Sequence, residues 1–167
     1  MSRETADPRL IVAALFQLGV LAANQGEAEE ADRLARETVE LSRNFGDLLG
    51  LCRGLITQAM VAVLRSDYGT LRAVAEDGLI SARNLRRPGV MALFLEAFGA
   101  LAAGEKRFED SIRLVATAAH ALEDVRAVMS PMWIAAVEHF AGAPAREAIG
   151  DEAYSEAWSQ GFAMGGA

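Results

Sequence analysis

The segment Leu41-Ser42-Arg43-Asn44-Phe45 recurs 40 residues later as Ser81-Ala82-Arg83-Asn84-Leu85. The small and apolar positions upstream of it keep the same frame over three blocks: Leu15, Leu18, Gly19 and Ala22, then Leu55, Gln58, Ala59 and Ala62, then Leu95, Phe98, Gly99 and Ala102. A period in this range, with apolar residues at helical spacing, is typical of stacked helix pairs. The sequence therefore predicts an all-α fold, a right-handed α-solenoid of about three helix pairs followed by a C-terminal two-helix cap.

Several residues of the kinds that begin and end helices mark where the predicted helices start and stop. Asp7-Pro8 and Ser130-Pro131 each place a capping residue before a proline, and Gly46 is a helix stop. Pro144 removes a backbone donor, so its helix must kink or restart there before Gly150-Asp151 opens a last helix. We predict a single helical-repeat domain over residues 1–167, with repeats at about 8–46, 48–87 and 89–126 and a cap at 130–164.

Composition and charge exclude several classes of function. The chain has 167 residues, of which 52% are hydrophobic, and a net charge of -7 from 23 acidic and 16 basic side chains. This charge repels phosphate backbones, so we expect no direct nucleic-acid binding. No run approaches the roughly 18 apolar residues of a membrane span. The single cysteine, Cys52, cannot form an internal disulfide, and we expect it to be a buried hydrophobe in a cytoplasmic protein.

The polar side of the second predicted helix carries opposite charges one helical turn apart. Glu29 with Arg33, and Arg36 with Glu40, have this spacing. Such pairs stabilise an exposed helix face. We therefore predict these two ion pairs on the outer side of the first repeat.

The small residues at Gly19, Ala59 and Gly99 occupy one position of each first helix, and in this the pattern resembles the tetratricopeptide repeat. The segment that carries the resemblance best comprises Leu18-Gly19, Ala22, Gly26 and Ala31. The usual period of that family is about 34 residues, so each unit here is about six residues longer. The later repeats depart from the pattern at Gln58, Leu71 and Ser111.

The C-terminal stretch resembles the closing segment of bacterial LuxR-type and related ATPase transcriptional regulators, which end in tetratricopeptide-like arrays. The shared elements are Gly150, Tyr154, Ala157-Trp158, Gly161 and Met164. Phe162 stands where those regulators usually carry arginine. Neither a phosphate-binding Gly-Lys-Ser/Thr loop nor a DNA-reading helix pair is recognisable in the sequence. The resemblance therefore implies the sensor or scaffold part of such a regulator.

No catalytic constellation is apparent in the sequence. His120 and His139 have no second ligand at metal spacing, and we expect no metal, no cofactor and no enzyme activity. The cap aromatics are Trp133, Phe140, Tyr154, Trp158 and Phe162, and we expect them to cover the last hydrophobic face of the array. The alternative is a small-molecule binding protein or enzyme with a pocket between the last repeat and the cap, in which His120, His139 or Tyr154 handles the proton.

The resemblance to tetratricopeptide arrays implies a binding surface, because the first helix of each pair lines the concave face in that family. In register, the candidate binding residues are Phe16, Val20, Asn24, Arg53, Ile56, Met60, Leu64, Leu93 and Glu96. An apolar channel with a few polar groups suits a peptide or helix, so we predict a protein or peptide partner. The alternative is that the same residues pack against neighbouring helices.

The first predicted helix is apolar around nearly all of its circumference, whereas a terminal repeat normally has a polar outer side. Its apolar residues include Leu10, Ile11, Val12, Leu15, Phe16, Leu18, Val20 and Leu21. We expect another surface to cover it. A second copy of the chain, forming a homodimer, is one answer, and upstream repeats of a longer parent protein are the other.

Overall fold

The computed structural model describes residues 7–123 and 131–166. Its helices are α1 (Pro8–Asn24), α2 (Ala28–Phe45), α3 (Leu48–Leu64), α4 (Tyr68–Leu85), α5 (Pro88–Gly104), α6 (Phe108–Ala121), α7 (Pro131–Val137) and α8 (Ala143–Gly165). A π-helical turn, Glu138–Gly142, joins α7 to α8. The described residues contain no strand, so the predicted all-α class is confirmed. The predicted cap at Ser130 and the end of the third repeat at 126 lie outside the described residues.

The helices begin at a constant stride. First helices begin at residues 8, 48 and 88, and second helices at 28, 68 and 108. The turn inside each pair contains one residue with positive φ: Gly26 (78°), Ser66 (53°) and Lys106 (62°). The residue that follows it donates a backbone hydrogen bond back to Ala22, Ala62 or Ala102, at 2.9, 2.9 and 2.8 Å. One turn geometry therefore recurs three times, although only the first copy has glycine.

Aspartate side chains begin three of the helices, as helix-capping chemistry requires. The carboxylates of Asp7, Asp47 and Asp67 accept hydrogen bonds from the backbone N–H groups of Arg9, Gly50 and Thr70, at 3.0, 3.0 and 3.1 Å. At the other end of the second helices, Gly46 and Arg86 both adopt the left-handed conformation that ends a helix. Capping residues at the helix ends thus account for several of the helix bounds.

The helices pack mainly against their neighbours in sequence, and the first helices α1, α3 and α5 also contact one another in that order. A continuous buried cluster runs from Ala22 in α1 to Ala141 in the π-helical turn, and alanine is its commonest residue. Small side chains allow helix backbones to approach closely. None of the described helices combines the length and apolar character needed to cross a bilayer.

The C-terminal segment packs along α6. Thr117 of α6 donates its hydroxyl to the carbonyl oxygen of Gly161 in α8, at 2.9 Å. The predicted break at Gly150 is present, with φ 78° and ψ 166° inside α8. Around Pro144 the helix does not break. Its backbone widens into the π-helical turn just before the proline, which then lies in the first turn of α8 where a missing N–H is tolerated.

The two predicted ion pairs on α2 have different partners in the structure. Arg33 contacts Glu30 at 2.6 Å and Glu37 at 3.2 Å rather than Glu29. Arg36 contacts Asp32 at 2.9 Å rather than Glu40, and Glu29 contacts Arg65 just after α3 at 2.8 Å. Charges of both signs crowd this surface, so the turn spacing alone does not select the partner. Exposed pairs of this kind contribute little to stability.

Candidate functional site

The nine predicted binding residues lie on α1, α3 and α5, which are adjacent in the structure. We call this set the inner face. Its residues fall into three exposure groups: Asn24 and Leu64 are exposed, Phe16, Val20, Arg53, Ile56 and Leu93 are half-buried, and Met60 and Glu96 are buried. The inner face is therefore open at some positions and closed at others.

The α1 and α3 part of the inner face is an apolar surface with one cation. The guanidinium carbon of Arg53 in α3 lies 5.5 Å from the centre of the Phe16 ring in α1, which is a cation–π contact. Val20 and Ile56 are half-buried, and Leu64 is 38% exposed. This arrangement can contact apolar side chains, and the N–H groups of Arg53 can donate to a carbonyl or carboxylate oxygen of a ligand.

The α5 part of the inner face is closed by a buried hydrogen bond. The indole Nε1 of Trp133 donates to Oε2 of Glu96 at 2.5 Å. Glu96 is only 2% exposed and Trp133 only 5%. A carboxylate removed from water requires hydrogen-bond donors, and the indole supplies one here.

The helix that carries Trp133 lies on the inner face itself. α7 contacts both α3 and α5, and Trp133 and Val137 belong to the same buried cluster as Met60. The sequence predicted that Met60 and Glu96 would line an open channel, but α7 packs there and both side chains are buried. Periodicity did not indicate this position for Trp133. The one signal available was an indole that needs an acceptor and a carboxylate on an otherwise apolar surface.

His120, His139 and Tyr154 are the residues that the alternative small-molecule pocket would use, and their surroundings differ. The ring of His120 meets Phe162 edge-on at 4.7 Å, whereas His139 is exposed. Tyr154 is 8% exposed, and the Arg146 guanidinium lies 4.3 Å from its ring centre. Burial raises the pKa of Tyr154 above its ordinary value, so the phenol keeps its proton at neutral pH.

The lone cysteine is buried in the core. Cys52 is fully buried, and this burial, together with the negative charges of Asp77 and Asp47, raises the pKa of its thiol to about 11. The thiol is therefore protonated at neutral pH and is a poor nucleophile. Among the residues that the structure describes, no group of three or more His, Cys, Asp or Glu side chains is placed to hold a metal ion.

The sequence did not indicate an open hollow of about 460 Å³ between α2 and α4. Val39, Leu55 and Val74 contribute apolar surface to it. Arg43 and Asp77, which also line it, form an ion pair at 2.5 Å between the two helices. Arg43 and Asp77 are thus already paired with each other.

Comparison of the chain with protein-family models, with curated proteins and with solved structures finds no match.

Proposed function

We propose that this chain is a non-catalytic interaction module that binds an apolar helix or peptide segment of another protein on its inner face. The observation that carries the proposal is that α7, an apolar segment of the chain itself, already lies against α3 and α5. Its Trp133 donates a hydrogen bond to Glu96 of α5. A surface that holds a short helix within the chain has the shape and chemistry to hold one from a partner.

The geometry also supports a particular partner chemistry. Glu96 accepts an indole N–H, so a tryptophan on the partner could replace Trp133 there. The surface around Phe16, Arg53 and Ile56 is not closed in this way, and it would contact the rest of the segment. We propose an amphipathic helix with a tryptophan on its apolar side as the partner.

The architecture that we propose around this face is a right-handed solenoid of three tetratricopeptide-like pairs in a cytoplasmic protein. Its support is the constant helix stride and the turn that recurs at Gly26, Ser66 and Lys106. We further propose that the chain is the sensor or scaffold part of a bacterial transcriptional regulator. The support is the C-terminal stretch that resembles the closing segment of those regulators. In this stretch Tyr154 and Ala157 are buried, and Gly161 contacts α6.

The proposal is tested with a fluorescein-labelled peptide that has the sequence of residues 131–142, the α7 segment and the π-helical turn. In the full chain with Trp133→Ala, the Glu96 site loses its own indole. We expect saturable binding of the peptide by fluorescence anisotropy. Wild-type protein should bind it at least about tenfold more weakly, because its site is already occupied.

The control peptide has alanine in place of its tryptophan and should not bind. Adding Glu96→Ala to the Trp133→Ala protein should weaken binding of the labelled peptide about tenfold, since the indole N–H of the peptide loses its hydrogen-bond acceptor. If circular dichroism shows that Trp133→Ala disturbs folding, Trp133→Val provides a second host, because its smaller apolar side chain leaves most of the space beside Glu96 free. Failure of both hosts to bind the peptide would refute a helix-binding inner face.

A further inference from the structure

The side of α1 that faces away from α2 and α3 is apolar and uncovered, and we call it the outer face of α1. Its apolar residues are Leu10, Ile11, Ala14, Leu18 and Leu21, and the exposed Gln17 lies at one edge of it. The exposed fractions of the four large apolar side chains are 68%, 41%, 52% and 50%. Inner-face residues such as Phe16 and Val20 project from a different side of the helix, so both faces can be occupied at once.

The same positions are covered in the other first helices. Ala14 corresponds to Gly54 and Phe94, which are 40 and 80 residues later, and both of these are buried. Gly54 lies against Val39 of the preceding second helix, where an added β-carbon would be 2.7 Å from Cγ2, and Phe94 lies against Gly78 in the same way. The faces of α3 and α5 that correspond to the outer face of α1 are therefore packed against the preceding second helix. In α1 no other described helix covers this face.

The charge pattern of α1 permits a second copy of the chain as the occupant. No charged side chain occurs from Leu10 to Gly26, although the chain as a whole has a net charge of -7. Two copies that meet through this face bring no like charges into contact. The repulsion between two copies of net charge -7 therefore acts only over longer distances, where salt screens it.

The opposite end of the molecule does not fit this face. α8 covers α6, and its exposed side carries Glu152, Ser155, Glu156, Ser159 and Gln160. Stacking copies head to tail would bury these polar groups against leucines without partners. A closed dimer that uses the same face twice avoids this cost.

We infer that a second copy of this chain covers the outer face of α1, with the two α1 helices antiparallel and crossing at Ala14. Leu10 and Leu18 are each four residues from Ala14. A twofold axis at Ala14 therefore sets each Leu10 against Leu18 of the partner subunit. The small Ala14 side chain allows the two helices to approach closely.

Sedimentation equilibrium over about a hundredfold range of protein concentration tests the pairing. We expect the mass to rise from 17.8 kDa toward twice that value. Leu18→Glu would bury an unpaired charge and should weaken association at least about tenfold. Ile80→Glu is the matched control, because Ile80 is 64% exposed on α4, and this variant should associate like the wild type.

The crossing point is tested by Ala14→Cys, which should form a disulfide-linked dimer under mild oxidation, since Cys52 is buried and does not compete. Arg36→Cys, on the exposed side of α2, should cross-link far more slowly. A wild-type protein that stays monomeric, or a Leu18→Glu protein that still dimerises, would overturn the inference. A dimer in which Ala14→Cys does not cross-link would overturn the antiparallel crossing.

Discussion

Gly161 lies where α8 meets α6, and a β-carbon there would come within 2.6 Å of the Cα atom of Arg113. The obstacle is backbone rather than a side chain that could rotate away. The hydroxyl of Thr117 donates to the carbonyl oxygen of the same glycine. Gly161 is one of the residues that the C-terminal stretch shares with the regulators it resembles. The close approach of α6 and α8 explains why this position requires glycine.

At this residue we expect Gly161→Ala to lower the free energy of unfolding by about 1–3 kcal/mol, because α8 must move away from α6. Urea unfolding followed by circular dichroism measures the change. Gly69→Ala is the matched control. Gly69 lies near the start of α4, where an added β-carbon has no contact closer than 3.6 Å, so alanine should be neutral or stabilising there. Equal losses in the two variants would contradict the close-approach explanation.

At the scale of elements, the turn inside each helix pair is built three times from different residues. Gly26, Ser66 and Lys106 all have positive φ, and only glycine adopts that conformation without cost. For a residue with a β-carbon, this backbone conformation costs about 1 kcal/mol or more of conformational free energy. The second and third turns therefore retain strain that the first does not.

Replacing the strained residue of the third turn should stabilise the protein. We expect Lys106→Gly to raise the free energy of unfolding by up to about 1 kcal/mol, which corresponds to about 2–4 °C in Tm for a chain of this size. Lys106→Ala removes the same lysine side chain but keeps the β-carbon, so it should give no such gain. Calorimetry of the two variants decides the point. An equal rise in both would mean that the lysine side chain, rather than φ, is responsible.

At the scale of the whole molecule, burial is greatest in the middle of the stack. α3 has eleven buried residues and α1 has four, although both helices are 17 residues long. The difference arises because α3 has helices on both sides, whereas the outer face of α1 has no described neighbour. In a linear array each unit is stabilised mainly by its neighbours.

We therefore expect opening to begin at α1. Hydrogen exchange followed by mass spectrometry on the Leu18→Glu protein should show fast exchange in α1 and the slowest exchange in α3 and α5. Wild-type protein at high concentration is the comparison, and there α1 should gain protection while α4 does not. Uniform exchange along the chain would indicate a single cooperative unit instead.

The stride of 40 residues predicted where most of the helices lie. α3 begins at Leu48, where the second repeat was predicted to begin, and the break at Gly150 lies where the sequence predicted it. Caps, prolines and apolar periodicity act within a few residues along the chain, so they can be interpreted without the fold. The same register selected the inner-face residues, because positions 40 apart occupy equivalent places on α1, α3 and α5.

Only the tertiary structure decided what lies on that face. Glu96 and Trp133 are 37 residues apart, and nothing local to either indicates a buried hydrogen bond between them. Glu29 likewise contacts Arg65, outside its own helix, rather than the expected Arg33. Helical periods relate residues within one helix, whereas these contacts depend on how separate helices pack. The sequence by itself determined the helices and their stride, and packing determined that α7 covers part of the inner face.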